Sequence, residues 1–246
     1  MFDPGAPLHF TGIAGIGMSG LAILCHAAGH PVSGSDLRAT PLTARLAAMG
    51  MRVTQGHAAA NVPPGAAALI YTSALDPANP EIAEARRRGL PVIRRGELLA
   101  RLMEGRRGVA VGGSHGKTTT TSMTAAIALR AGLDPSVYVG TTVEWLGGLN
   151  ARAGRGEALI AECDESDGSF LLLRPAIAII TNIDREHLEH YGSLEALRAA
   201  FAEFATRAAP EALPGACVFP SDCDRERRVP VSVEGAQAGE VVPGPF

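Results

Sequence analysis

The sequence predicts an α/β protein made of two consecutive parallel-sheet units. Three observations carry that expectation. Short apolar runs alternate with helical stretches along most of the chain, the connections between them are short, and two of the runs pass directly into glycine-rich turns that open helices. The chain has 246 residues, 46% of them hydrophobic and 19% charged, enough to bury a core in each unit.

The first unit begins with a strand over Leu8 to Ile13, a glycine-rich turn, a helix from Gly17 to Ala28 and a second strand ending near Asp36. A helix over 42–49, strands over 52–55 and 67–72, and a helix over 80–88 continue the alternation. A short strand over 91–93 and a helix over 97–103 complete it. The segment Arg106-Arg107-Gly108 marks a boundary, so residues 1–105 are expected to form one domain. The second domain, residues 106–219, opens with an apolar strand at Val109 to Val111 and a helix from Thr118 to Arg130. Further strands are expected over 158–161, 176–181 and 216–219, with a helix over 194–208. Residues 220–246 lack periodicity and read as a poorly ordered tail.

Composition excludes several classes. A net charge of −3 provides no basic surface for nucleic acid. Arginine clusters at 86–88, 94–95, 106–107 and 225–228 read as solvated faces. The four cysteines, Cys25, Cys163, Cys217 and Cys223, have no metal-ligand spacing and read as free thiols of a reducing, cytoplasmic compartment. No charged residue occurs from Pro4 to Ser35, a stretch long enough to span a bilayer. Glycines, histidines and hydroxyls interrupt it and no basic segment precedes it, so a buried helix is expected and no membrane contact.

Chemistry concentrates at three strand ends. The chain uses 21 Arg and a single Lys, Lys117, which lies in "VGGSHGKTTTT" between an apolar strand and a helix. Strand, glycine turn, Lys-Thr and helix form the phosphate-binding P-loop arrangement, with Val111 where its first glycine usually stands. A compact ammonium suits a place among phosphate oxygens better than a guanidinium fork. The run "AECDESDGSF" sets Glu162, Asp164, Glu165 and Asp167 just past another apolar strand, where carboxylates can hold Mg²⁺. In "TNIDREHLEHY", Asn182, His187 and His190 follow a third. Lys117, Thr118, Glu162 and His187 therefore point to a Mg²⁺-dependent ATP site. In the first domain, Gly15-x-Gly17-x-x-Gly20 with Asp36 on the next strand resembles a dinucleotide fingerprint, and fits close helix–strand packing equally well.

Together with "HFTGIAGIGMSGLA", "TSALDPANPEI" and "LPVIRRGELLARLM", these motifs resemble, in order and spacing from Leu8 to Phe219, those of the Mur ligases. The resemblance implies a Rossmann-like domain for UDP-N-acetylmuramate followed by a P-loop ATPase domain, here incomplete. It implies ATP-dependent addition of L-alanine through an acyl phosphate, in peptidoglycan precursor synthesis. Carried over by motif, Gly113, Ser114, His115, Gly116, Lys117, Thr118 and Thr119 would wrap the ATP phosphates with Asn182 nearby. Thr118, Glu162 and His187 would be the Mg²⁺ contacts, with Lys117, Glu162 and His187 serving catalysis. Gly12, Gly15, Gly17, Asp36 and Ser73 would meet the UDP-sugar. Ala14 stands where the family commonly has Gly, and Glu186 where Asp usually precedes the His.

Family members continue into a third domain, so this chain is expected to bind the UDP-sugar while making little amide product, and to self-associate through an unpaired sheet edge. The alternatives are a non-catalytic UDP-sugar-binding remnant, the related muropeptide-recycling activity, and a nicotinamide-dependent enzyme. The last gives a P-loop no role.

Overall fold

Two sheets organise the chain in the computed structural model, which describes residues 2–208 and the backbone of residues 216–218. The tail at 220–246, with Cys223 and the arginines at 225–228, lies outside the described residues, as does the side chain of Cys217.

The first sheet is built from β1 (Leu8–Thr11), α1 (Ile16–Ala27), β2 (Val32–Asp36), α2 (Pro41–Ala48) and β3 (Arg52–Gln55). It continues through β4 (Ala68–Tyr71), α3 (Pro80–Arg87), β5 (Val92–Arg94) and α4 (Arg95–Met103). All its strands are parallel, in the order β3-β2-β1-β4-β5. The chain reverses direction across the sheet between β1 and β4, the position at which such sheets open a ligand crevice. Local chemistry fixes the helix starts. Thr40 and Thr43 cap α2 reciprocally ahead of Pro41, and Asn79 accepts from the Glu81 amide at the start of α3.

The second sheet contains β6 (Arg107–Gly112), α5 (Lys117–Arg130), β7 (Ser136–Val143), β8 (Leu149–Arg152) and β9 (Ala158–Glu162). After these come β10 (Ile177–Ile180), α6 (Leu188–Tyr191), α7 (Leu194–Thr206) and β11 (Ala216–Val218). Its order is β11-β10-β6-β9-β7-β8, parallel except for the β7–β8 hairpin. That hairpin was not foreseen. Gly140 cuts short the buried apolar run Val137 to Val139 of β7, and Gly147 and Gly148 supply the positive φ angles (67° and 76°) of the hairpin's turn. Arg107 and Gly108, read as a linker, are the first residues of β6.

Helix α1 explains the uncharged stretch near the N-terminus. Its residues Met18 to Cys25 are all buried, because one face lies on the first sheet and the other on β7 and β8. No side that reaches water is left for a charge. Across this seam the Tyr138 hydroxyl donates to the Gly17 carbonyl (3.0 Å), Ser19 donates to Asn150 (3.3 Å), and Asn150 donates to the Ile16 carbonyl. One apolar cluster therefore runs from Leu8 and Phe10 through Met18 and Leu21 to Tyr138, Leu159 and Phe201. No helix among the described residues is long and apolar enough to cross a membrane.

A buried carboxylate ties the first sheet's crevice together. Glu81, fully buried at the start of α3, accepts from Thr11 (2.7 Å), Ser35 (2.7 Å), Asn61 (2.7 Å) and the Ala58 amide (3.3 Å), with His9 Nε2 at 3.1 Å. Burial alone would raise its pKa. The bonds from His9, Ser35, Asn61 and Thr11 outweigh burial and hold it down at about 2.

Candidate functional site

Three parallel strands, β6, β9 and β10, end side by side, and the sequence places a reactive group just beyond each. Val111, at the usual position of the first P-loop glycine, is a fully buried strand residue paired with Glu162. Gly113 makes the turn instead. Its φ is 125°, and a Cβ there would lie 2.2 Å from the Thr181 hydroxyl and 2.8 Å from the Asn182 carbonyl. The loop is then clamped to the end of β10. Ser114 N donates to Asn182 O (3.0 Å), His115 N donates to the Asn182 side chain (2.9 Å), and the Asn182 amide donates back to His115 O (2.9 Å).

Gly116, with φ 79°, starts α5 without a side-chain cap, and no acidic residue follows in the first turn. Such a helix start, with unpaired amides at 117–119, is suited to an anion. Thr119 and His115 are exposed at its mouth, His115 with Asp184 (3.6 Å) and Glu186 (3.7 Å) beside its ring. The Lys117 ammonium folds back over the loop, donating to Gly113 O (2.6 Å), Ser114 O (3.3 Å) and Glu165 Oε1 (2.7 Å). The Thr118 hydroxyl donates to Glu162 Oε2 (3.0 Å), which also accepts from the Gly140 amide (2.9 Å). Gly140 has to be glycine here, since a Cβ would sit 2.4 Å from Glu162 Oε1.

His187 occupies the left-handed region (φ 55°) at the start of α6, with Nε2 3.7 Å from Glu165 Oε1. A non-glycine residue there is strained and is held by its surroundings. Glu165, Glu186 and His187 offer ligand atoms within 4.8 Å of one another, and Glu165 Oε2 is buried with no hydrogen-bond partner. Carboxylates, a hydroxyl and an imidazole beside a phosphate loop fit a hard divalent cation. Burial pushes the Glu165 carboxyl above its ordinary range, against the opposing pull of Lys117.

The first-domain residues form a second locus. Gly12 (φ 78°) turns the chain after β1, and Gly15 precedes α1. Asp36 accepts from the Ala14 amide (3.0 Å), bracing the turn from the end of β2. Ser73 is exposed on the loop after β4. Gly17 and Gly20 are also close-packed by neighbouring side chains. A Cβ on Gly17 would lie 2.4 Å from Arg95 Nη1, and one on Gly20 would lie 2.9 Å from the Tyr138 ring. Their missing side chains admit Arg95 of α4 and the Tyr138 ring of the second sheet.

Beside Lys117, where α4 of the first unit meets the second sheet, lies a cavity of about 190 Å³ lined in part by Arg95, Lys117, Tyr138, Glu162, Asp164 and Ser169. Sequence reading missed Arg95, grouping it with solvated arginines. It is half-buried and paired with Asp164 at 2.7 Å. Asp164 is pushed up by burial, but bonds from Arg95 and Ser166 bring it down to about 2. Arg88, from another arginine cluster, likewise donates to Val62 O and Pro63 O. Cys163, beside this cavity, is fully buried, and burial raises its thiol pKa.

Residues 7–107 match the catalytic domain of the Mur ligase family and residues 111–238 match the Mur ligase middle domain. The UDP-N-acetylmuramate–L-alanine ligase of Solibacter usitatus is 59% identical over 207 residues, covering 84% of this chain and 44% of the relative. The Aquifex aeolicus protein of the same name is 52% identical over 196 residues, covering 80% and 43%. Among solved structures, UDP-N-acetylmuramate-alanine ligase from Thermotoga maritima superposes with a TM-score of 0.76 at 35% identity, covering 82% of this chain and 47% of the other. A Neisseria ligase for UDP-N-acetylmuramate and L-alanyl-γ-D-glutamyl-meso-diaminopimelate gives 0.75 at 28%, covering 84% and 69%. This chain spans less than half the length of these two curated relatives. With both of its sheets matched, the chain belongs to the Mur ligase family.

Proposed function

We propose that the chain carries the UDP-N-acetylmuramate-binding and ATP-binding parts of a ligase that joins L-alanine to UDP-N-acetylmuramate in peptidoglycan precursor synthesis. The observation that carries this reading is the convergence of Lys117, Thr118, Glu162 and His187 beyond three adjacent parallel strands. On this reading residues 1–105 bind the UDP-sugar, with Gly12, Gly15, Gly17, Asp36 and Ser73 near it, and residues 106–219 bind ATP. Curated relatives named for L-alanine, at 52–59% identity, support that amino acid over the muropeptide-recycling alternative.

Gly113 to Thr119 present backbone amides and the Lys117 ammonium to the ATP phosphates, and Asn182 holds the loop in shape. On this reading Thr118, Glu162 and His187 would hold Mg²⁺, which would neutralise charge on the transferring phosphoryl group. Lys117 stabilises that group as a fixed point charge. On this reading the cavity beside Lys117 would admit the sugar's carboxylate, which ATP would convert to an acyl phosphate for attack by the amine of L-alanine.

Calorimetric titration with UDP-N-acetylmuramate, with ATP with and without Mg²⁺, and with NAD tests the reading. Binding of the first two is expected. Binding of NAD in place of UDP-N-acetylmuramate would overturn it.

A further inference from the structure

We propose that Glu165 is the resident anion of the phosphate loop: it holds Lys117 while the loop is empty and competes with nucleotide phosphate for it. This rests on the reading that the loop binds a nucleotide.

The pairing is tight and enclosed. Glu165 Oε1 lies 2.7 Å from Lys117 Nζ, and the two side chains are 1% and 18% exposed. The carboxylate is on a fixed base. Its own backbone carbonyl accepts from the Gly168 amide (3.1 Å) and the Tyr191 hydroxyl. A purely structural buried carboxylate would have both oxygens bonded, since an unsatisfied buried acceptor costs about 1–3 kcal/mol. Glu165 Oε2 has no partner among the described residues, while Oε1 serves Lys117 and stands 3.7 Å from His187 Nε2. Among the described residues, Lys117 has acceptors only from its own loop besides this one. Glu165 is therefore the negative charge that a phosphate must displace from the ammonium.

Once Lys117 turns to a phosphate oxygen, Glu165 is left buried, unpaired and close to a second anion. Like charges at such range repel strongly in a poorly solvated site. A cation must then compensate, and the bare Oε2 beside His187 and Glu186 is placed to meet one. Glu165 thus makes nucleotide binding depend on the divalent ion.

The test uses the whole chain and the isosteric variant Glu165→Gln. Lys117 is the single lysine, so acylation by an amine-reactive ester, mapped by mass spectrometry, reports its release directly. Acylation is expected to be roughly three- to tenfold faster in E165Q than in the parent, the range that loss of the charge assistance on one hydrogen bond supplies, since the Gln carbonyl can still accept from Lys117. Metal-free ATP is expected to bind E165Q roughly three- to tenfold more tightly than the parent, with a smaller gain on adding Mg²⁺. Glu165→Asp, which keeps the charge on a shorter arm, should fall between the two and serves if E165Q folds poorly. Unchanged acylation in both variants would show that the pair does not hold Lys117. ATP binding weakened with and without Mg²⁺ would make Glu165 a support for Lys117 and overturn the competition. If the parent binds no ATP at all, the nucleotide reading fails and the competition with it, while acylation still decides whether Glu165 holds Lys117.

Discussion

Arg95, the first residue of α4, and Asp164, two residues past β9, meet at 2.7 Å across the seam between the two sheets. The pair sits on the wall of the cavity that also exposes Lys117 and Glu162. It therefore joins α4 of the first unit to the loop after β9. Because the pair is only half-buried, Arg95→Ala is expected to cost about 1 kcal/mol of stability after screening. Its larger effect is expected in limited proteolysis, as faster cutting near the seam.

Gly20 measures how closely α1 must approach the second sheet. A Cβ there would stand 2.9 Å from the Tyr138 ring and from Asn150 Nδ2, both buried. Gly20→Ala is expected to cost about 1–3 kcal/mol by overpacking. Gly65→Ala, where nothing lies within 4 Å, is the control and should change little. Thermal unfolding of the two variants reads the difference.

Glu81 gives the first sheet a dependence on acid. Its folded pKa of about 2 lies below the 4.5 of a free side chain. A depressed pKa contributes stability that is fully present above the unfolded value and lost as pH falls through the folded one. The contribution is about 3 kcal/mol, and it should disappear between pH ~4.5 and ~2. Glu81→Gln is expected to lower stability at pH 7 by about that amount and to flatten the acid limb of a denaturant-midpoint series. An acid limb equal to the parent's would show that the Glu81 network does not bear this load.

Glu162 and His187 are expected to act through the metal. Glu162→Gln and His187→Ala should each weaken ATP binding measured with Mg²⁺ while leaving metal-free binding nearly unchanged. Titrations that look alike for variants and parent, with and without Mg²⁺, would remove both residues from the metal site.

The parallel strands and the helices between them were legible because buried strands read as apolar runs bounded by glycine turns. β6, β9 and β10 appeared within a residue or two of their observed ends. The β7–β8 hairpin was not foreseen, since its short apolar run, Val137 to Val139, is cut off by Gly140 and followed by Thr141 and Thr142, and its partners are set by tertiary packing. The same limit applied to the site. Lys117 stood out as a lone lysine and Gly113 as part of a motif, because both are read from local spacing. Arg95 could not be told from its neighbour Arg94, because what distinguishes it is Asp164, 69 positions away. Gly20 was readable as a glycine with a purpose, but the purpose lay on the other sheet, at Tyr138 and Asn150.

The most direct test of two separate ligand loci is calorimetry on Lys117→Ala and Lys117→Arg, each titrated with Mg²⁺-ATP and then with UDP-N-acetylmuramate. Lys117 is part of the loop after β6, whereas Asp36 and the Gly12 turn belong to the first sheet. Both variants are expected to lose ATP binding, Arg included because a planar fork does not replace a point charge. Both should keep the parent's affinity for UDP-N-acetylmuramate within about twofold, the change that less than 0.5 kcal/mol would give. Parent-like ATP affinity in either variant, or equal loss of both ligands, would contradict the assignment of the phosphate loop.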